Sequence, residues 1–354
     1  MTKVIAMHLP QYHTIKENDE WWGKGFTEWS NVKRGMPLFE GHLQPRIPYR
    51  YYDLADEREL INQMVMASQY GVDGFAFYHY WFGGKKLLEK PVEKLLEYDK
   101  TPIDYCLCWA NESWSRRWDG KEKDILIKQE YGNRDEWAEH YRYLSRFFVK
   151  RNYIKKDNSP IIIIYNKRFI PKAKEMYGLW KELAKEDGFE GLHIIDVHRS
   201  RLIDEVPFLG DAVMRFEPFA TLRELLPYRV NRMKSKRIGL DGKRVFEVID
   251  YEKFCDVMVG RQSLKGENQY LGFFAGWDNS PRIGDRVSIL FENNTPEVFK
   301  RYFDVQYKKS INLKNDYMFI NAWNEWGEGT FLEPDKEYGF GYLNAIKKTR
   351  EIYE

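Results

Sequence analysis

Short apolar runs recur along the whole chain, and polar or helix-forming segments separate most of them. These runs predict eight β-strands, at 3–9, 74–80, 103–110, 160–165, 192–198, 212–216, 272–278 and 317–320. The fourth, Pro160-Ile-Ile-Ile-Ile-Tyr165, is apolar throughout, which is typical of a strand covered on both faces of a parallel sheet.

Apolar residues at helical spacing predict helices at 53–70, 87–98 and 135–149, and another that begins at Thr295 and Pro296. Asp53 is expected to cap the first helix. Because strands and helices alternate, the sequence predicts an α/β fold, a single (β/α)₈ barrel with aromatic-rich loops at the C-terminal face. A doubly wound sheet is the alternative.

We assign residues 1–354 to one catalytic domain with an insertion at about 220–270, between strands six and seven. Within the insertion, Asp241-Gly242 predicts a tight hairpin turn. The basic run Lys234-Ser-Lys-Arg237 is interpreted as a solvated loop, with contact to an anionic ligand as the alternative.

Composition narrows the class of ligand. The chain carries 56 basic and 54 acidic residues, a net charge of +2, so no overall field favours nucleic acid or an anionic membrane. Aromatic residues reach 16%, with 12 Trp, 24 Tyr and 22 Phe, which is more than a core of this size requires. We therefore expect aromatic side chains to line a groove for an oligosaccharide or polysaccharide.

The sequence indicates no cofactor. Cys106, Cys108 and Cys255 cannot form a disulfide framework, and no His, Cys or Asp cluster has the spacing of a metal site. The N-terminus lacks a long apolar segment, and no apolar run approaches the ~18 residues of a membrane span. We expect a cytoplasmic protein, or a periplasmic one if a leader has been removed. The oligomeric state stays open.

The chemistry is concentrated in residues 321–330, Asn-Ala-Trp-Asn-Glu-Trp-Gly-Glu-Gly-Thr, which follow the last predicted strand. Glu325 and Glu328 stand where that strand opens into a loop, which is where barrel enzymes carry their catalytic residues. Paired carboxylates suit acetal cleavage, and indole rings suit the C–H faces of sugars. We predict a catalytic pair; the alternative is a structural strand end with solvated glutamates. Which one is the acid stays open at this point.

The other strand ends carry polar and aromatic side chains that are candidates for sugar binding. They are His8, His79, Trp109, Asn111, Glu112, Asp196, Glu217, Trp277, Asp278 and Asn324. Each has a structural alternative: packed histidines, tryptophans that fill the barrel, and carboxylates paired with arginines. For Glu112 and Asp278 the expected partners are Arg116, Arg117 or Arg282. For Asp196 and Glu217 they are Arg199 and Arg215.

Several longer motifs resemble a known family. They include Leu9-Pro-Gln-Tyr-His13, 21–29, Tyr78-His-Tyr-Trp-Phe82, Cys108-Trp-Ala-Asn-Glu112, Arg117-Trp-Asp-Gly120, Gly276-Trp-Asp278 and 323–330. Together they resemble the WbsX-like family, which is labelled glycosyltransferase-like and occurs among bacterial surface-polysaccharide genes. That family is regarded as related to glycoside hydrolase family 99, a (β/α)₈ endo-acting α-mannosidase family. The motifs add Tyr80, Trp118, Asp119 and Trp323 to the expected sugar-binding set.

The resemblance also implies roles. Family 99 enzymes carry a Trp-Asn-Glu-Trp-x-Glu-Gly motif, which is similar to the stretch around Glu325 and Glu328. By that likeness Glu325 would act as base toward the 2-hydroxyl of the sugar, giving a transient 1,2-anhydro sugar. Glu328 would act as general acid and then as base, with retention at the anomeric centre. Gly327 stands where family 99 usually has a bulkier residue.

We therefore predict a retaining glycoside hydrolase, endo-acting on a bacterial surface polysaccharide or a mannose-like glycan. The alternative is a glycosyltransferase of O-antigen or capsule biosynthesis, which the family label suggests. Against it, the sequence has no Asp-x-Asp for a metal-bound diphosphate and no Gly-x-Gly-x-x-Gly loop. A non-catalytic carbohydrate-binding protein is the third candidate; it would need the aromatic residues but not the glutamate pair.

Overall fold

A nearly closed parallel barrel forms the centre of the molecule. The computed structural model describes residues 1–116, 120–199, 207–225, 227–240, 244–261 and 268–353. We number the barrel strands β1 (Lys3–His8), β2 (Gly74–Phe82), β3 (Asp104–Trp109), β4 (Ser159–Ile164), β5 (His193–His198), β6 (Ala212–Arg215), β7 (Gln269–Tyr270), β8 (Gly272–Phe274) and β9 (Tyr317–Asn321). Neighbouring strands pair in parallel, in the order β7-β6-β5-β4-β3-β2-β1-β9-β8.

The barrel closes through a strand that is broken in two. β7 pairs with β6, whereas β8 pairs with β9, and only Leu271 separates β7 from β8. The carbonyl of Leu271 accepts a hydrogen bond from the amide of Phe319, so the junction itself bonds to β9. β7 and β8 therefore act as one split strand, and the structure confirms the predicted (β/α)₈ barrel.

Helices surround the barrel and cap its ends. They are α1 (Lys16–Trp22), α2 (Glu28–Lys33), α3 (Glu57–Gln69), α4 (Lys90–Glu93), α5 (Arg134–Phe148), α6 (Ala173–Glu186), α7 (Phe219–Glu224), α8 (Pro227–Met233), α9 (Tyr251–Gly260), α10 (Ser280–Ile283), α11 (Pro296–Asn312) and α12 (Gly341–Tyr353). The amphipathic α5 buries Trp137, Tyr141, Leu144 and Phe148, the residues that its helical spacing indicated.

Short strands decorate the barrel. Lys85–Leu87 pairs with the end of β2, Trp114–Arg116 pairs with Lys121–Ile127, Lys155–Lys156 pairs with β4, and Asn324–Glu325 pairs with Thr330–Phe331. A separate sheet contains Lys234–Leu240, Arg244–Asp250 and Ile289–Glu292. Single turns of 3₁₀-helix lie at Lys94–Glu97, Lys167–Phe169, Gly284–Arg286 and Trp326–Glu328.

Two predicted helix starts had different outcomes. The Thr295 hydroxyl accepts from the amide of Val298 at 3.4 Å, which confirms the predicted cap of α11. The predicted cap of α3 was wrong, because Asp56 and not Asp53 accepts from the amide of Arg58, at 3.0 Å. Asp53 instead accepts from the amide of Ala55 in the preceding turn, at 2.8 Å.

The predicted insertion contains α7, α8, α9 and a β-hairpin. The basic run was expected to be a solvated loop: Ser235, Lys236 and Arg237 are exposed, as expected, but the run lies in a strand and not in a loop. Lys234 and Lys236 lie in a strand and pair with Glu247 and Glu292, because the neighbouring strands present carboxylates to them. The flanking strands of the predicted hairpin pair antiparallel, while its turn at Asp241-Gly242 lies outside the described residues.

Other expected boundaries moved for local reasons. The aromatic segment 20–29, which lies after the first predicted strand, includes the end of α1 and the start of α2, where Thr27 and Ser30 form a capping box. The predicted helix 87–98 shrinks to α4 and one 3₁₀ turn.

The three cysteines are buried and form no disulfide. Among the described residues, no helix combines the length and the apolar character that crossing a membrane requires.

The close packing of Gly272 at the point of barrel closure predicts that a larger residue there lowers the free energy of unfolding. A Cβ at this position would lie 1.9 Å from the carbonyl oxygen of Arg215, which is backbone and cannot move aside. We expect Gly272→Ala to lower the free energy of unfolding by about 2 kcal/mol or more. Gly178→Ala is the matched control: Gly178 lies within α6 with open space around its Cα, so the same change should raise stability by about 0.5–1 kcal/mol. Urea unfolding of both variants would measure this, and equal stabilities would contradict it.

Candidate active site

A cavity of about 210 Å³ opens where the barrel strands end. Five aromatic side chains line it, those of Trp22, Tyr78, Tyr80, Trp114 and Tyr165. Its charged lining consists of Glu112, Arg282, Glu325 and Glu328. These residues lie at or just after the C-terminal ends of strands, or on the loops and helices that follow them. The cavity therefore occupies the face on which barrel enzymes carry out their chemistry.

The centre of the site is one arginine shared by three glutamates. Arg282 donates from Nη2 to Glu325 Oε2 at 2.8 Å, from Nη1 to Glu328 Oε1 at 2.5 Å and from Nε to Glu28 Oε1 at 2.7 Å. Arg282 and Glu28 are buried, Glu325 is 5% exposed, and the side chain of Glu328 is 22% exposed. One cation therefore faces three carboxyl groups in a site with little access to water.

Burial raises the pKa of both predicted catalytic residues, and the nearby carboxyl groups add to the rise. Burial is the largest cause of a rise in the pKa of Glu325 from 4.5 to about 8; Arg282 opposes the rise, and Glu328 and Glu28 add to it. Burial also raises the pKa of Glu328, where Arg282 and Arg199 oppose the rise and Glu28 supports it. Near neutral pH the pair therefore tends to hold a proton, which is what an acid–base pair needs.

Glu333, another buried acidic residue, accepts hydrogen bonds from the two tryptophans of the motif. Glu333 accepts from Trp323 Nε1 at 3.1 Å, from Trp326 Nε1 at 2.7 Å and from the Tyr52 hydroxyl at 3.0 Å. Burial raises its pKa to about 8, against these hydrogen bonds. Trp323 is fully buried, so the structure places it beneath the loop rather than in the cavity. Contact of Trp323 with a sugar stays a prediction.

Asn324 and His8 join the last strand to the first. Asn324 is buried; its Oδ1 accepts from the amide of Leu9 at 2.7 Å, and its Nδ2 donates to the Leu9 carbonyl at 3.0 Å. His8 faces α3, with Nε2 2.8 Å from Gln63 Oε1 and 3.5 Å from Asn324 Nδ2, and burial lowers its pKa to about 4. The hydrogen bonds of Asn324 therefore hold the end of β1 against the loop that carries Glu325.

Of the remaining sugar-binding candidates, Tyr80 and Glu112 line the cavity together with the glutamate pair. Glu112 accepts from Asn166 Nδ2 at 2.6 Å and forms an ion pair with Arg199. Asn111 is buried beside it and exchanges two hydrogen bonds, both of 2.8 Å, with the backbone of Asn166. Trp118 and Asp119 lie outside the described residues.

His79 and Trp109 face away from the cavity. Side chains alternate along a strand, so Tyr78 and Tyr80 face the cavity while His79 faces α5, where its Nε2 lies 2.9 Å from His140 Nε2. Burial lowers the pKa of His79 to about 3. Trp109 likewise packs against His140, at 4.7 Å between ring centroids. A ligand contact for either residue stays a prediction, and the geometry shows packing between sheet and helix.

Trp277 and Asp278 line a second cavity of about 270 Å³ and do not line the first. Burial acts to raise the pKa of Asp278, but hydrogen bonds from His42 Nε2 at 2.8 Å and Gln44 Nε2 at 2.6 Å outweigh it and hold the pKa below its usual value. The amide of Asp278 donates to the carbonyl of Glu328 at 2.7 Å, so the two cavities lie on either side of one loop.

The expected partners of several carboxylates also changed. Arg282 was a candidate partner for Glu112 or Asp278, but it lies between Glu28 and the catalytic pair instead. Glu217 does pair with Arg215, as expected. Asp196 instead accepts from the Tyr177 hydroxyl at 2.7 Å and from the amides of Leu209 and Gly210.

Sequence analysis missed Glu28, Tyr78, Trp114, Tyr165 and Glu333. Tyr78 could have been found, because it is two residues from Tyr80 and so faces the same side of the strand. Tyr165 ends the predicted fourth strand, which is the same signal that selected other strand ends. Glu28 gave no local signal, because its partner lies 254 residues away.

In the part of the chain that the structure describes, no group of three or more His, Cys, Asp or Glu side chains is arranged so that it could hold a metal ion.

Comparison with known families and solved structures identifies the relatives of this barrel. The model of the family described as Glycosyltransferase WbsX matches residues 4–346, so the chain belongs to that family. Uncharacterized protein WxcX from two strains of Xanthomonas campestris pv. campestris is 34% identical over 353 residues, which are 98% of this chain and 49% of the relative. The chain thus spans about half the length of these curated relatives.

Solved structures share the fold at low sequence identity. The GH99 endo-alpha-mannosidase from Bacteroides thetaiotaomicron superposes with a TM-score of 0.58 and 14% identity, over 99% of this chain and 97% of that one. A glycoside hydrolase-like protein superposes with a TM-score of 0.62 and 14% identity, over 98% and 93%. This likeness supports the expected relation to family 99 at the level of the fold.

The raised pKa of Glu325 predicts a dependence of stability on pH. Between pH 4.5 and about 8 the folded protein keeps a proton on Glu325 that the unfolded chain releases, so the free energy of unfolding falls as the pH rises. Glu325→Gln removes this titration. We expect the variant to be more stable than the wild type at pH 8, by roughly 4 kcal/mol, and nearly equal to it at pH 4.5. Thermal unfolding at both pH values would measure this, and a variant less stable at pH 8 would contradict it.

Proposed function

We propose that this protein is a retaining glycoside hydrolase that cleaves within a bacterial surface polysaccharide or a mannose-like glycan. The single observation that carries the proposal is the convergence of Glu325 and Glu328 on Arg282 in an aromatic-walled cavity. Membership of the WbsX family and the barrel shared with a GH99 endo-alpha-mannosidase support a reaction on carbohydrate.

The proposed reaction uses both carboxyl groups. Glu328, the more exposed of the two, donates its proton to the leaving oxygen as the glycosidic bond breaks. Glu325 accepts the proton of the 2-hydroxyl, whose oxygen then bonds to the anomeric carbon and gives a 1,2-anhydro sugar. Water opens this ring from the opposite face and loses a proton to Glu328, while the oxygen at position 2 regains its proton from Glu325. Two inversions leave net retention.

Glu325 and Glu328 share one proton near neutral pH, so the proposed reaction requires that proton to reside on Glu328 and to leave Glu325 ionised. A carboxylate with a pKa of about 8 is a stronger base than an ordinary glutamate, and a hydroxyl proton is held tightly. The ionised fraction of Glu325 must then increase with pH, whereas Glu328 must stay protonated. Arg282 contacts both residues and stabilises the single negative charge that they share.

The walls of the cavity support a sugar ligand. Trp22 and Trp114 are half-buried, so their rings keep exposed surface for the C–H face of a sugar. Tyr78 and Tyr80 line the same cavity, and burial raises the pKa of both phenols, so they remain protonated hydrogen-bond donors. Such a mixture of aromatic surface and a few polar groups is typical of small-molecule sites.

Glycosyl transfer from a nucleotide sugar is the second candidate, and the description of the family favours it. A place in O-antigen or capsule biosynthesis would follow from it. Both reactions pass through charge at an anomeric carbon, so a carboxylate pair alone does not separate them. The acceptor molecule separates the two reactions, because it is water for a hydrolase and a sugar hydroxyl for a transferase.

Product analysis distinguishes the two candidates. The protein would be incubated in parallel with bacterial surface polysaccharides or mannans and with nucleotide sugars plus acceptor glycans, with and without chelator, and the products read by mass spectrometry. We expect shortened oligosaccharides that keep the anomeric configuration and no dependence on added magnesium or manganese. Release of nucleoside diphosphate that stops with chelator and returns with the metal would establish the transferase instead.

Variants of the pair test the assigned roles. Glu328→Gln should reduce cleavage of substrates with poor leaving groups by about 100- to 10,000-fold and largely spare activated aryl glycosides, which leave without a proton. Glu325→Gln should lower both rates, and a 2-deoxy or 2-fluoro substrate should fail even with the wild type. A covalent adduct on either glutamate would indicate ordinary double displacement. Activity within a few-fold of wild type in both variants would refute the assignment.

A further inference from the structure

Glu28 is a fully buried carboxylate behind the catalytic pair. It is the first residue of α2, and its Oε1 accepts from Arg282 Nε at 2.7 Å, while its Oε2 accepts from Asn31 Nδ2 at 3.3 Å. Glu28 does not line the cavity, so a sugar in the cavity does not contact it. Any effect of Glu28 on the reaction must therefore pass through Arg282.

The geometry of the guanidinium group links Glu28 to both catalytic residues. A guanidinium is planar, and its donors have fixed directions. Because Glu28 holds the Nε edge, Nη1 and Nη2 are directed to Glu328 and Glu325. If that edge were released, the group could turn toward either glutamate and contact with the other would be lost.

Glu28 also competes for the charge of Arg282. Its carboxylate contributes to the raised pKa of both Glu325 and Glu328, and Arg282 acts in the opposite direction on each. Without the negative charge of Glu28, the arginine would favour the ionised forms of the pair more strongly.

Gly327 leaves room for the contact between Glu28 and Arg282. A Cβ on Gly327 would lie 1.7 Å from Glu28 Oε1 and 2.8 Å from Arg282 Nε. The contact between Glu28 and Arg282 therefore occupies the volume that any larger residue at position 327 would need.

Other charged or titratable groups face the pair and stay unchanged in the test below. They are Tyr12 after β1, Tyr78 and Tyr80 on β2, Glu112 after β3, Tyr165 after β4 and Arg199 after β5. On α2 itself, Arg34 at the C-cap donates to the carbonyls of Pro281 and Arg282.

We propose that Glu28 is a positioning residue for the hydrolytic reaction proposed above: it orients Arg282 between Glu325 and Glu328 and takes up part of the arginine's charge, so that the free site retains the proton that Glu328 delivers. The inference rests on the proposed function for its kinetic consequence. Its structural part, the effect of Glu28 on the protonation of the pair, can be measured without any substrate.

The kinetic test compares pH profiles of kcat/KM. Glu28→Gln keeps the size of the side chain and removes its charge, and we expect both limbs of the profile to move to lower pH by about one unit or more. Glu28→Asp keeps the charge but shortens the side chain by one methylene group, so its shift should be intermediate. KM at each variant's own optimum should stay within about threefold of wild type, because Glu28 does not line the cavity.

Glu59→Gln is the matched control. Glu59 is also buried and paired with an arginine, at 2.8 and 2.6 Å from Arg50, but it does not contact the catalytic pair. Its variant should keep the wild-type pH profile. A shift as large as that of Glu28→Gln would mean that any lost buried carboxylate moves the profile, and would overturn the proposal.

The second readout is independent of activity. Carbon-13 NMR of protein labelled at the glutamate carboxyl carbons follows protonation directly, and Glu325→Gln and Glu328→Gln assign the two signals. We expect both to titrate at lower pH in Glu28→Gln, and to a smaller extent in Glu28→Asp, which carries the test alone if the Gln variant does not fold. A protein that cleaves no glycan yet shows this shift would refute the proposed function and keep the role of Glu28. Unchanged titration would overturn the inference whatever the activity.

Discussion

The sharing of Arg282 among three carboxyl groups, of which Glu28 and Glu325 are buried, is the constraint on which the site depends. A single guanidinium cannot neutralise three carboxylates, so part of the negative charge must be removed by protonation. Glu28, Glu325 and Glu328 reach it from α2 and from the loop after β9, while Arg282 itself belongs to α10. The raised pKa values of Glu325 and Glu328 therefore follow from burial and from an unequal number of charges.

Further hydrogen bonds hold the loop that carries Glu325 and Glu328. Asn324 ties the loop after β9 to the end of β1, and Glu333 holds the indole nitrogens of Trp323 and Trp326. The amide of Asp278 bonds to the carbonyl of Glu328, so the loop is also held from the side of the second cavity. Trp323, Asn324 and Asp278 were candidates for sugar contact. In the structure their hydrogen bonds hold the loop that carries Glu325 and Glu328.

The family description and the solved structures with the same fold name different enzyme classes. The chain belongs to a family described as a glycosyltransferase, and it shares its barrel with glycoside hydrolases. Hydrolysis and transfer both act at an anomeric carbon and differ in the molecule that accepts the sugar. A barrel end with a carboxylate pair and aromatic walls suits the shared part of that chemistry, and the acceptor decides between the two reactions.

The sequence by itself determined the barrel, most of its strands and the loop that carries Glu325 and Glu328. Each of these depends on local pattern: apolar runs such as 160–165, helix caps such as Thr295, and carboxylates beside glycines at a strand end. Tertiary structure alone decided that Glu28 meets Arg282, that His79 packs on His140, and that Trp277 lines a separate cavity. Such contacts join residues that are far apart in the chain, or depend on which face of a strand a side chain occupies once the strand is paired. Local periodicity does not encode a charge partner 254 residues away.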